Sequence, residues 1–143
     1  MLRFLLLLLL PLLSTAVWPL PTASKTGTDS LTIPSFTFQQ AGATPFPDNI
    51  ADAIARYTAV MFTHTPSNDA APPVTISVAI TDPAAVLQLN ADESYTLTAS
   101  VTGLAITSPT QLGFYHALET LSQLVGFDFD TETYVLAANL LLL

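Results

Sequence analysis

The run Ser108-Pro109-Thr110-Gln111, followed by apolar residues at Phe114, Ala117, Leu118, Leu121, Leu124 and Val125, constrains this chain more than any other feature. Serine suits an N-cap, proline the first helical position, and glutamine the third. Gly126 then fits the position just past the helix end. A short helix with one apolar stripe needs a second layer to cover it. The flanking sequence supplies strands for that layer. Val74-Thr75-Ile76-Ser77-Val78-Ala79-Ile80 alternates apolar with polar, as a half-buried strand does. Ser94 to Val101 and Leu104 to Thr107 read as two more strands, with Thr102-Gly103 as the turn of a hairpin.

The N-terminal half repeats this mixture. Leu31-Thr32-Ile33 and Phe36-Thr37-Phe38-Gln39 are strand-like and are separated by Pro34. Ile50, Ile54, Tyr57 and Met61 share one helical face, so a helix is expected from Asp48 to about Phe62. Asp48 serves as its N-cap or as a first-turn acid. Asp52 and Arg56 are spaced for an exposed ion pair. Thr133 to Leu136 reads as a last strand. The order β-β-α-β-β-β-α-β predicts an α+β fold, an α/β sandwich with a mixed, mainly antiparallel sheet and two helices packed on one face.

The 143 residues allow one domain. Arg3, the leucine-rich run from Phe4 to Leu13 and the small residues Ser14-Thr15-Ala16 have the layout of a secretory signal peptide, so residues 1–16 are expected to be removed. The apolar run is short of the roughly 20 residues a spanning helix needs; an uncleaved anchor is the alternative. Cleavage leaves Lys25 and Arg56 against 11 carboxylates. That balance excludes nucleic acid and anionic membranes as partners. With 0 cysteines the domain has no disulfide, thiol nucleophile or thiolate metal site, and its core alone must hold it. No Asn-x-Ser/Thr acceptor is present.

Several segments resemble one family. Trp18-Pro19-Leu20-Pro21 is similar to the W-P-x-P opening of eukaryotic β-hexosaminidases, glycoside hydrolase family 20. Asp92-Glu93-Ser94-Tyr95-Thr96-Leu97 resembles their D-E-S-Y-x-L segment. Gly113 with Leu118-Glu119-Thr120-Leu121-Ser122-Gln123-Leu124 resembles their G-x-x-x-x-L-E-T-F-S-Q-L helix. Ala53 to Tyr57 fits as well, and Leu112 stands where the family often has Trp. The resemblance covers about Val17 to Ala137 and implies the family's non-catalytic N-terminal domain, placed over residues 17–138. It implies a catalytic (β/α)₈ barrel as packing partner, and a secretory, extracellular or lysosome-like location. Residues 139–143, Asn139-Leu140-Leu141-Leu142-Leu143, read as an aberrant apolar tail, exposed and prone to aggregate, left by a truncation before the barrel. A genuine short form is the alternative.

No catalytic, cofactor-binding or metal-binding residue is expected. In family 20 the substrate's acetamido group attacks the sugar carbon, an Asp orients that group and the next Glu protonates the leaving oxygen, in a barrel-strand context H/N-x-G-x-D-E. Asp92-Glu93 is the one Asp-Glu pair here, lacks that context, and is assigned to a turn before a strand. His116 and Glu119 share a helix face without further ligands, so an exposed face is expected. Asp128-x-Asp130-x-Glu132 imitates the start of a calcium loop, but Thr133 and Asn139 stand where Gly and Glu are needed, which leaves a solvated linker. His64 and His116 have no supporting serine motif. Trp18 is expected to anchor the N-terminal strand, with sugar stacking as the alternative. A free-standing carbohydrate-binding or interaction module is the competing reading of the whole chain.

Overall fold

The computed structural model describes residues 17–142 without 19, 26, 28, 29, 42–44, 68, 101, 102, 138 and 139. The signal segment 1–16 and the expected turn residue Thr102 therefore lie outside the described residues. The elements are β1 (Ser24–Lys25), β2 (Ser30–Ile33), β3 (Phe36–Gln40), α1 (Asp48–Met61), β4 (Val74–Asp82), β5 (Thr96–Ser100), β6 (Gly103–Thr110), α2 (Gln111–Leu124), β7 (Gly126–Asp128), β8 (Thr133–Ala137) and β9 (Leu140–Leu142).

Six strands form the main sheet in the order β1-β9-β5-β6-β4-β3. It is parallel at β3–β4 and β4–β6 and antiparallel elsewhere. The helical crossover from β3 through α1 to β4 is what makes the first pair parallel. β5 and β6 are the expected hairpin, with Ser100 opposite Gly103. The α+β architecture with a mixed sheet and two helices is as the residue pattern implies. A second sheet, β2-β8-β7, was not separable in the pattern. Pro34 divides β2 from β3, and β2 pairs with β8 instead.

Alternation sends Ile76 and Val78 of β4, Leu97 and Ala99 of β5, and Leu104 and Ile106 of β6 to one buried face. Ile50, Ala53 and Met61 of α1 and Phe114, Ala117, Leu118 and Leu121 of α2 join them in one core. Each such large apolar side chain contributes about 1.5–3 kcal/mol on burial, and with no disulfide available this core carries the fold.

Three local expectations differ from the structure. The N-cap of α2 is Thr110, whose hydroxyl accepts from Gly113 N, and not Ser108. Ser108 and Thr110 still pair with Ile80 and Asp82 of β4, so parallel pairing carries the strand past the local capping signal. The β5 pairing has ended at Thr107, so the missing N–H of Pro109 breaks no bond to β5. Gly126 does not adopt a left-handed cap; the chain passes through an extended Val125 directly into β7. Residues 139–143 were expected to trail free, yet Leu140–Leu142 is an inner strand between β5 and β1. A run of leucines has no alternation to announce a strand, and its pairing partners lie far away in sequence.

α1 starts at Asp48 as a first-turn acid behind an N-cap at Pro47. The spaced pair Asp52 and Arg56 forms no ion pair among the described residues; the Arg56 guanidinium lies 5.9 Å from the Tyr57 ring centre.

Candidate functional site

The segments singled out in the sequence converge on α2. The loop Asp92–Tyr95 enters β5 by crossing the N-terminal half of that helix. Asp92 Oδ1 accepts from Ser94 N at 2.9 Å and Ser94 Oγ at 2.6 Å, which closes a tight turn. Thr110 Oγ1 donates to the Asp92 carbonyl. The Ser94 carbonyl then rests directly over Gly113, where an added Cβ would sit 2.0 Å from its oxygen. Only a glycine admits so close an approach. Glu93 reaches His116 Nε2 at 3.0 Å, and Tyr95 OH meets Thr120 Oγ1 at 2.6 Å.

The other motif residues on α2 hold two further segments. Tyr57 OH of α1 donates to Glu119 Oε2 at 2.8 Å. Burial first, and then the Glu119 hydrogen bond, push the Tyr57 phenol above its ordinary range. Gln123 grips the Trp18 peptide at both ends: its Oε1 accepts from Trp18 N at 2.8 Å and its Nε2 donates to Trp18 O at 2.6 Å. Trp18 thus anchors the N-terminal segment, but through its backbone. The residue is 78% exposed. At the N-terminus of α2, Gln111 bonds to both Asn49 of α1 and the Ala85 carbonyl.

His116 and Glu119 are therefore not a shared ligand face. They point to different partners, Glu93 and Tyr57, and the face is half-buried. Asp92 and Glu93 occupy an open surface turn. A neutral cleft of about 510 Å³ lies beside them, lined by Ser94 and Tyr95 but by neither acid. Acid catalysis on a glycoside needs a carboxyl held in a closed pocket next to the sugar, and this turn encloses nothing. Asp128 closes the β7–β8 hairpin, with Oδ1 accepting from Asp130 N at 2.8 Å and Thr131 N at 3.2 Å, so the expected linker is a hairpin turn. Among the described residues no three His, Cys, Asp or Glu side chains are grouped to hold a metal ion. The His64 ring lies against Phe127, ring centres 4.6 Å apart, and the His64 backbone N–H donates to Tyr134 OH at 2.6 Å.

The hydrogen bonds at Asp92 and Asp128 have a consequence for acid stability. Ser94 at the first and the N–H groups of Asp130 and Thr131 at the second hold each carboxyl below the ordinary carboxylate range. A depressed folded-state value means the stabilisation is full above the unfolded value, about 3.9, and disappears as pH falls through the folded one. The combined variant Asp92→Asn, Asp128→Asn keeps an acceptor oxygen at both turns. Thermal melts between about pH 5 and about pH 2 should show a shallower acid decline for it than for the parent chain; equal slopes would show that neither turn contributes.

Gln123 and Tyr57 were not singled out as partners in the sequence. The spacing of Glu119 and Gln123 by one helical turn was the available signal, and Gln123 Nε2 does reach Glu119 Oε1 at 3.2 Å.

A family model described as beta-acetyl hexosaminidase like matches residues 17–124. Among solved structures, a chitobiase from Flavobacterium johnsoniae matches with a TM-score of 0.66 and 20% identity, over 85% of this chain and 19% of that one. A Vibrio harveyi exo-β-N-acetylglucosaminidase of glycoside hydrolase family 20 matches at 0.59 and 18% identity, over 88% and 18% of the two chains. A Streptomyces plicatus N-acetyl-β-hexosaminidase matches at 0.54 and 18%, over 85% and 24%. At these identities the likeness is one of fold. The chain spans about a fifth of the length of the first of these structures. No curated protein matches it.

Proposed function

The chain belongs to the β-acetyl hexosaminidase-like family of domains, and from that membership we propose that it is the non-catalytic N-terminal domain of a secreted β-N-acetylhexosaminidase. The observation that carries this reading is the use to which the motif residues are put. Gly113, His116, Glu119, Thr120 and Gln123 each hold another segment of the same domain in place. They bind together the N-terminal segment, α1 and the Asp92–Tyr95 loop, and leave no acid and base facing a substrate.

The role of such a domain is to pack on and support a catalytic (β/α)₈ barrel. α1 turns Ala51, Ala55, Ala59 and Val60 outward together with Asp52 and Arg56, a mixed surface of small apolar residues and one charge of each sign that could meet another domain. Removal of glycans' terminal N-acetylhexosamines belongs to that barrel. The W-P-x-P opening at Trp18 favours the eukaryotic branch, and the leucine-rich residues 1–16 favour entry into the secretory pathway and an extracellular or lysosome-like destination. The clamp on Trp18 suits a chain whose mature sequence begins just before it.

Reading the gene beyond codon 138 tests this. The expected result is an in-frame continuation into a barrel carrying its own Asp-Glu pair. A downstream region with no such coding capacity would contradict the reading.

A further inference from the structure

The cleft beside the Asp92–Tyr95 loop is not explained by the clamp on α2. It opens on the outer face of the main sheet, opposite the helices, at the carboxyl ends of β4 and β6. There the parallel run β3-β4-β6 meets antiparallel β5. Crevices outside the carboxyl ends of parallel strands are recurrent ligand sites. Its volume of about 510 Å³ falls among small-molecule pockets.

We propose that this cleft binds a neutral sugar ring. Ala79 of β4 and Pro109 of β6 offer apolar surface for the C–H face of a pyranose, and Ala79 stands directly beside Thr107 in the parallel pair. Hydroxyls alternate with these apolar groups. Thr81, Thr96 and Thr107 project from three adjacent strands, and Thr96 and Thr107 are direct cross-strand partners. Facing side chains in such a pair stand about 5 Å apart, within reach of one sugar ring. None of these three hydroxyls bonds to another described residue, so each can donate and accept toward a ligand. Ser94, already bonded to Asp92, sits at one wall, and Thr22 of the N-terminal segment at the other.

The lining also says what is refused. None of the nine lining residues carries a charge, and the chain's net charge of −8 repels phosphorylated or carboxylated sugars. The chemistry of the cleft therefore selects a neutral, hydroxyl-rich ligand. Choosing an N-acetylhexosamine in particular rests on the functional reading above. A site of this kind would hold a glycan chain near the barrel while the barrel acts on its end.

Amide-shift mapping of the ¹⁵N-labelled full chain, titrated separately with N-acetylglucosamine and with maltose, tests both parts. The expected result is shifts confined to Thr81, Ser94–Thr96, Thr107 and Ser108, saturating with N-acetylglucosamine. The double variant Thr96→Val, Thr107→Val keeps side-chain shape and strand propensity and removes two hydrogen bonds. It should weaken binding about tenfold, while Thr75→Val, on the same face outside the cleft, leaves it unchanged. Cleft shifts with maltose but not N-acetylglucosamine would uphold the sugar site and cut its link to the hexosaminidase reading. Shifts elsewhere, or none in the cleft with either sugar, would overturn the proposal. The mapping on the unsubstituted chain decides this even if the double variant folds poorly.

Discussion

Gly113→Ala is expected to destabilise the domain by about 2 kcal/mol, although the same change in an exposed helix interior gains about 1 kcal/mol. The sign is set by the Ser94 carbonyl. A Cβ at Gly113 would lie 2.0 Å from that oxygen and 3.2 Å from the Glu93 carbonyl carbon. Both contacts are backbone, so no side chain can swing away. The loop must lift, and lifting it strains the Glu93–His116 and Tyr95–Thr120 contacts together. Overpacking of this kind costs about 1–3 kcal/mol before those losses, which outweighs the helix gain. The thermal midpoint should fall by about 10 °C. Gly113→Val, with two further methyl groups, should fall further. A midpoint that rises for alanine would show that the loop does not rest on the helix.

The Tyr95–Thr120 contact gives the second large effect. Thr120 is fully buried, and its Oγ1 lies 2.6 Å from Tyr95 OH. Thr120→Val keeps the shape and leaves the tyrosine hydroxyl without its partner. A loss of about 1–2 kcal/mol is expected, because a stranded buried polar group costs more than a formed bond gains. Tyr95→Phe leaves the threonine hydroxyl, which can fall back on the helix carbonyl one turn earlier, so about 1 kcal/mol is expected. The double variant removes both partners and should lose about 1 kcal/mol less than the two single losses combined. Urea unfolding of the four proteins measures this. Strict additivity would show that the two hydroxyls do not interact in the folded protein.

Much of the architecture is legible in the residues because it is local. The stripe from Phe114 to Val125, the alternation of Val74–Ile80 and the hairpin at β5–β6 each depend on period alone. What failed to read out depends on distant partners. Ser108 has every local mark of an N-cap, and pairing with Ile80 of β4 overrides it. Leu140–Leu142 is a strand only because β5 and β1 leave a gap for it. The site shows the same division. The motif residues could be picked out by resemblance, but their roles could not. Gln123 holds Trp18 across 105 residues, and Glu93 meets His116 across 23. No spacing rule reports such contacts. Trp18 does anchor the N-terminal segment, and it is the peptide that carries the anchor.

The reading of Asp92-Glu93 as a structural turn is the claim on which the rest depends. Hydrolysis of a chromogenic N-acetylglucosaminide by the purified full chain tests it most directly. Release of the chromophore should equal the buffer rate, for the parent chain and for Glu93→Gln alike. Turnover above buffer that Glu93→Gln abolishes, with the thermal midpoint unchanged, would make that carboxyl an acid catalyst and contradict the structural role given to it here.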